Sequence, residues 1–431
     1  MKLNLKKLLQ DKFIRGTFFL TAAGFGGAFL NYLVHPILTR HLSIPAYGDF
    51  QALLSFVTIL GILTAAINTV ITKETALLAA KHPEEIEALR KKASRRFFLF
   101  GLFIFTLVVI FIRPLNALFK ISEGKILIIA SLNLLYVFPL VINRAVLRGQ
   151  QDFFALALNT FFDAFSRLFF ILLFVVLWSA GLNGAAWAVG LTGVLAFFIS
   201  FYQIKRLKLP VAPTGFQVSW RRLWRYSFLV LWFMTLTQFF YNFDMLFVKS
   251  FFRPEEAGLY GALLTIGRII YFIGGVVPAV MFPVIANLKE DDSLRRYFVL
   301  GKSLLLLVAI TLPAYLLISW QPEFIIKVIV GSKYLSLAPY LGSFSLVMIF
   351  LTLINILANY FLALASRWSL VILSLTAILE IVFLSLGHHN FKEVIFSLNL
   401  AFGTGAGGLL LLAILEYKKT KQCLYVQENK C

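Results

Sequence analysis

Twelve stretches of this chain are each long and apolar enough to cross a bilayer as a helix, and that limits the fold more than any motif does. A spanning helix needs about 20 mainly apolar residues. Between charged or Pro/Gly-marked breaks the chain offers residues 13–38, 48–72, 97–119, 125–147, 154–178 and 184–204. It then offers 226–250, 258–286, 296–318, 335–363, 367–387 and 392–415. Only 14% of the residues are charged, against about 25% in soluble domains. The expected fold is an all-α polytopic membrane protein of about twelve transmembrane helices.

The net charge of +20 would suggest a nucleic-acid partner if it were gathered on one surface. It is instead distributed by side of the membrane. With the N-terminus placed inside, the inside segments hold 29 Lys and Arg, the outside segments hold 9, and Arg167 and Arg268 lie within spans, which accounts for all 40. Basic residues collect on cytoplasmic loops, so both termini are expected in the cytoplasm. The charge then reads as a topology signal and an attraction to anionic lipid headgroups, and no nucleic acid is expected. The apolar run from Phe13 to Leu38 is long for a cleaved leader and reads as a retained first helix. Cys423 and Cys431 have no framework or metal spacing and read as a reduced cytoplasmic tail.

The chain also echoes itself. "AYGDFQALLSF" (46–56) matches "AGLYGALLTIG" (257–267) at an offset of 210, with Gly48 on Gly258, Phe50 on Tyr260 and Ala52-Leu53-Leu54 on Ala262-Leu263-Leu264. Six spans separate the copies, and an even number preserves direction. The halves therefore read as parallel repeats, a six-helix lobe over 1–210 and a second over 211–431. Two such lobes around a central cavity are a common transporter design.

Three stretches carry a family resemblance: "PILTRHLSIPAYGDFQALLSF" (36–56), "VINRAVLRGQQDF" (141–153) and "FFRPEEAGLYGALLTIGRI" (251–269). The first resembles an R-x-L-x-x-x-x-Y-G hairpin, here Arg40, Leu42, Tyr47 and Gly48. The chain resembles the polysaccharide transporter (O-antigen flippase) family of the multidrug/oligosaccharidyl-lipid/polysaccharide exporter superfamily. The resemblance implies movement of an undecaprenyl-(pyro)phosphate-linked oligosaccharide from the inner to the outer leaflet of the cytoplasmic membrane.

A charge inside a span is costly and usually faces the bundle interior. Arg268 has no acidic neighbour at helical spacing and is a candidate substrate contact. Asp163 and Arg167 lie four apart on one face. They either neutralise each other or let Asp163 aim Arg167 at a phosphate, which planar Arg binds well. Arg15 and Arg40 flank the first span and either meet substrate or mark the interface. Arg144 and Arg148 either receive a headgroup or obey the positive-inside rule. Asn31 and His35 lie four apart just before Pro36, as a gating element of a bendable helix or as a packed polar pair. Asp244 and Glu380 are the remaining in-span carboxylates, for a coupling proton or cation or for pairing. Asn355 and Asn359 read as helix–helix glue. Lys249 and Arg40, at outer ends, favour an anionic substrate.

No P-loop is present, and no cofactor or metal is expected. Transport would draw on an ion gradient, the membrane potential or the substrate's own gradient. An ion-coupled drug/cation antiporter of the same superfamily is the alternative. A membrane glycan polymerase or ligase would keep catalytic acids on a sizeable outer loop, and the outer loops here are short. The chain is therefore read as a transporter and not an enzyme.

Overall fold

The computed structural model describes residues 12–121, 123–210, 220–286, 288, 293–364 and 366–428. The side chain of Arg15, the residues before Lys12 and the side chains of Cys423 and Cys431 lie outside them. Among the described residues the regular structure is helical throughout. Eleven segments of these residues are long and apolar enough to cross a membrane. A further 32-residue helix, Trp220–Phe251, covers the expected span 226–250. The chain is thus a multi-pass all-α membrane protein with its spans where the apolar runs put them.

Contacts group the chain into two compact units, Met1–Met234 and Thr235–Cys431. In the first, α1 (Lys12–His41) lies along α8 (Phe153–Ile171). The helices α3 (Leu63–Lys81), α4 (Ile86–Ile110) and α7 (Leu134–Gly149) enclose an apolar core that includes Ile71, Leu89, Phe97, Phe138 and Val146. Glu87 lies 3.5 Å from Lys91 and binds Arg90 more closely at 2.6 Å, and Arg90 also donates to Asn143 Oδ1 of α7. In the second unit α16 (Ala338–Ala363) packs against α12 (Pro254–Gly274), α14 (Ser293–Trp320) and α18 (Phe391–Glu428). Its segment is the most buried of the spans.

Several spans are interrupted. α2 (Ile44–Leu60) gives way to α3 at Gly61, α6 (Ile126–Ser131) to α7 at Leu132–Asn133, and α9 (Gly181–Leu191) to α10 (Val194–Arg206) at Thr192–Gly193. α12 gives way to α13 (Val276–Ala286) at Gly275. A broken helix in lipid must have its freed carbonyls satisfied by other groups. At the α9–α10 break this is visible. Tyr136 Oη donates to Gly190 O (2.6 Å), and Asn133 Nδ2 donates to Thr192 O (2.8 Å). Gly193 adopts φ +85°, a conformation that an L side chain resists. Pro36, by contrast, sits inside α1, which continues to His41.

The two echoed stretches adopt the same structure. α2 starts at a Ser43 cap with Pro45 in the first turn, and α12 starts with Pro254 and the Glu256 carboxylate accepting from Arg253 N–H (3.0 Å). A proline at a helix start has no missing bond to regret, because that N–H has no intrahelical acceptor anyway. Phe50 and Tyr260, Ala52 and Ala262, Leu53 and Leu263, and Ser55 and Thr265 are all buried.

Candidate functional site

Each unit carries polar groups where an apolar chain would have none. In the first unit the centre is Arg144 of α7. It forms an ion pair with Asp163 of α8 (3.0 Å), donates from Nε to Asn159 Oδ1 (2.7 Å) and reaches Asn159 O (3.2 Å). Asn159 in turn donates to Ala196 O and Gln203 Oε1 of α10, and Gln203 closes the circuit on Ala155 O. Arg144 thus takes the carboxylate that i,i+4 spacing would have given to Arg167. Arg167 turns its Nε to Thr192 Oγ1 (3.3 Å) at the α9–α10 break, within electrostatic range of Asp163. Arg148, one turn beyond Arg144, is exposed at the end of α7, with a like charge behind it. Arg144 and Arg167 therefore both act on one carboxylate here, and Arg148 adds a third positive charge one turn away.

At the other end of α1, His35 Nδ1 is 3.1 Å from the buried Tyr47 hydroxyl of α2, which also accepts from Gln51 Nε2 (2.8 Å). Asn31 is half-buried one turn earlier, and its Oδ1 has no hydrogen-bond partner. Arg40 is exposed and donates to Pro36 O (2.8 Å), folded back on its own helix.

In the second unit, Asp244 of α11 (Trp220–Phe251) is buried. Its carboxylate accepts from Tyr260 Oη of α12 (2.8 Å) and from Met245 N–H (2.7 Å). Glu380 of α17 (Arg367–Leu386) is 0% exposed, and neither carboxylate oxygen has a hydrogen-bond partner. It lies near enough to Asp244 for the two to act on each other electrostatically. Arg268 of α12, 8% exposed, lays its guanidinium over the Tyr241 ring at 4.1 Å and donates to Tyr241 O (2.7 Å), while its Nε is left without an acceptor. Tyr241 packs on Tyr271, and Tyr271 Oη accepts from Asn355 Nδ2 (2.7 Å). Asn359 donates back to Asn355 Oδ1 (2.6 Å). Lys249, expected at an outer surface, is 1% exposed.

The structure therefore brings Asp244, Glu380 and Arg268 into one unit's interior and gathers Arg144, Asp163 and Arg167 in the other, while Arg148 is left exposed at the end of α7. The tyrosines 47, 136, 241 and 260 complete these clusters, and nothing in the apolar pattern marks them. Tyr47 and Gln51, four apart on one helix face, are the one pair with a local signal.

This chain, an all-α membrane protein of broken apolar helices with arginines and carboxylates inside its bundles, shares its fold with solved structures. It is similar to the lipid II flippase MurJ in an inward closed conformation, at TM-score 0.72 and 16% identity, covering 92% of this chain and 87% of that one. It is also similar to an inward-facing multidrug resistance MATE family transporter of the MOP superfamily, at TM-score 0.71 and 14% identity, covering 90% and 95%. A eukaryotic MATE transporter, AtDTX14, aligns at TM-score 0.62 and 15% identity over 94% and 97%. No curated protein matches the chain by sequence. Residues 13–289 match the polysaccharide biosynthesis protein family, and the chain belongs to that family.

Proposed function

We propose that this protein moves an undecaprenyl-(pyro)phosphate-linked oligosaccharide across the cytoplasmic membrane by alternating access, both termini lying in the cytoplasm. The observation that carries this reading is Arg268. It is an arginine buried within a span, bonded to one backbone carbonyl and stacked on one ring, with Nε unused. A guanidinium held this way keeps donors for a phosphate, which it binds through parallel hydrogen bonds. The surplus of Arg144, Arg148 and Arg167 over Asp163 supports an anionic cargo as well. Asp244 and Glu380 supply a carboxylate pair suited to a coupling proton or monovalent cation. Family membership in polysaccharide biosynthesis supports the sugar-bearing cargo.

The carboxylate pair also favours a second reading, an ion-coupled antiporter of cationic drugs. One experiment separates the two. The protein is reconstituted in proteoliposomes and assayed for flipping of a lipid-linked oligosaccharide and for efflux of a cationic dye. The flippase reading expects lipid movement that Arg268→Ala abolishes and Arg268→Lys does not restore, because Lys lacks the planar fork. Dye efflux that survives Arg268→Ala, with no lipid movement by the wild type, would overturn it.

A further inference from the structure

Between α14 and α18 the second unit carries a groove of about 920 Å³, within the range of about 300–1,000 Å³ usual for small-ligand sites. Its floor is apolar, with Leu304, Leu305, Leu410 and Ile414 among its lining. At one end stand Arg295 and Lys302, both exposed, with Lys302 Nζ 4.4 Å from the centre of the Phe298 ring. Tyr297 and Tyr417, in edge contact at 5.1 Å, bridge the two helices there.

Depth can be counted along both helices. From Leu304 to Trp320 α14 has 17 residues without a charge, about 25 Å of helix. On α18 the charge-free stretch runs from Val394 to Leu415, 22 residues, about 33 Å. A bilayer core is about 30 Å thick, so Lys302 and Tyr417 fall at the same hydrocarbon edge. That edge is the one where the chain concentrates its basic residues, with Lys418, Lys419 and Lys421 just beyond. Glu416, beside Tyr417, does not line the groove and is engaged with Ser366 and Lys419. The groove therefore offers an apolar trough inside the core and a paired cationic rim at headgroup level, with no acid among its lining in the described residues.

We infer that this groove binds one anionic phospholipid of the inner leaflet, its acyl chain along Leu305 and Ile414 and its phosphate on Arg295 and Lys302. A zwitterionic lipid fits the trough equally but gains less from the rim. Each basic residue near an anionic lipid surface is worth about 1 kcal/mol, or about fivefold in affinity.

Native mass spectrometry of the full chain in detergent tests this, with dioleoylphosphatidylglycerol, dioleoylphosphatidylcholine and undecaprenyl phosphate titrated separately and in competition. Phosphatidylglycerol is expected to bind best. The pair Arg295→Gln and Lys302→Gln should weaken it about 30-fold and leave phosphatidylcholine unchanged. Gly301→Leu provides an independent check. Gly301 lines the groove, and a Cβ there meets nothing within 4 Å, so the leucine side chain starts from open space, occupies part of the trough and should remove the bound lipid. Equal affinity for the two phospholipids would overturn the inference, as would indifference to both variants in proteins that melt normally. Displacement of phosphatidylglycerol by lower concentrations of undecaprenyl phosphate would also overturn it, because the trough would then belong to the transported lipid.

Discussion

Replacing Glu380 by methionine should make the protein more stable, the opposite of what most core substitutions do. A buried polar group without a partner costs about 1–3 kcal/mol, and both oxygens of Glu380 are in that state at 0% exposure. Asp244 adds a second carboxylate nearby. Methionine is unbranched and of similar length, and a volume-conserving swap costs under about 1.5 kcal/mol. The difference leaves a net gain of about 1 kcal/mol, which raises the melting midpoint by about 2–4 °C for a unit of this size. Melting is followed by tryptophan fluorescence in detergent, and transport by the proteoliposome assay. A Glu380→Met protein that melts higher and no longer couples transport to an ion gradient has lost a carboxylate kept for function. A midpoint several degrees lower, with Glu380→Gln lower as well, would refute the reasoning, because it would mean that the carboxylate makes bonds that stabilise the fold.

Three further outcomes follow from the geometry. Tyr260→Phe removes the hydroxyl that reaches Asp244 at 2.8 Å and should cost about 1–3 kcal/mol, a loss largely absent in an Asp244→Leu background; equal losses in both backgrounds would break the assignment. Arg144→Ala leaves Asp163 without its ion pair, and because both side chains are partly exposed (17% and 30%) the cost should be about 1–3 kcal/mol, below the range for fully buried pairs; a double-mutant cycle with Asp163→Asn, read by melting, should show the two losses to be strongly non-additive. Gly193→Ala should destabilise more than an ordinary surface change, since Gly193 has φ +85° and an added Cβ would sit 2.8 Å from Asp163 Oδ1; a melting midpoint equal to wild type would contradict it.

The spans were legible because membrane helices declare themselves by length and apolarity, and neither depends on tertiary contacts. The echoed hairpin was legible for a related reason. Both copies bury the same face, so Phe50 and Tyr260, or Ser55 and Thr265, are under the same packing demand. The interruptions carry no such signal. Gly61, Gly193 and Gly275 sit in apolar runs where glycine is common, and what makes Thr192–Gly193 a break is that Asn133 and Tyr136 are there to receive its carbonyls. Spacing on one helix also misdirected the reading of Asp163. Arg167 lies one turn away, yet the ion pair forms with Arg144 on the neighbouring span. Local periodicity reports which face a residue is on and cannot report which helix comes to meet that face.

The way these clusters are wired bears on how the chain enters the membrane. Segments of a nascent chain emerge in order, and an isolated charge is expensive in lipid. Arg144 and Asp163 belong to consecutive spans, so the acid arrives with its base already in place and the two can leave the insertion machinery as a neutral pair. Asp244 is served almost as promptly, by Tyr260 on the following helix. Glu380 is synthesised long after Asp244 and has no donor awaiting it. The difficult moment in this protein's biogenesis therefore falls late, at Arg367–Leu386, when most of the second unit is assembled and can close around an acid that no neighbour neutralises.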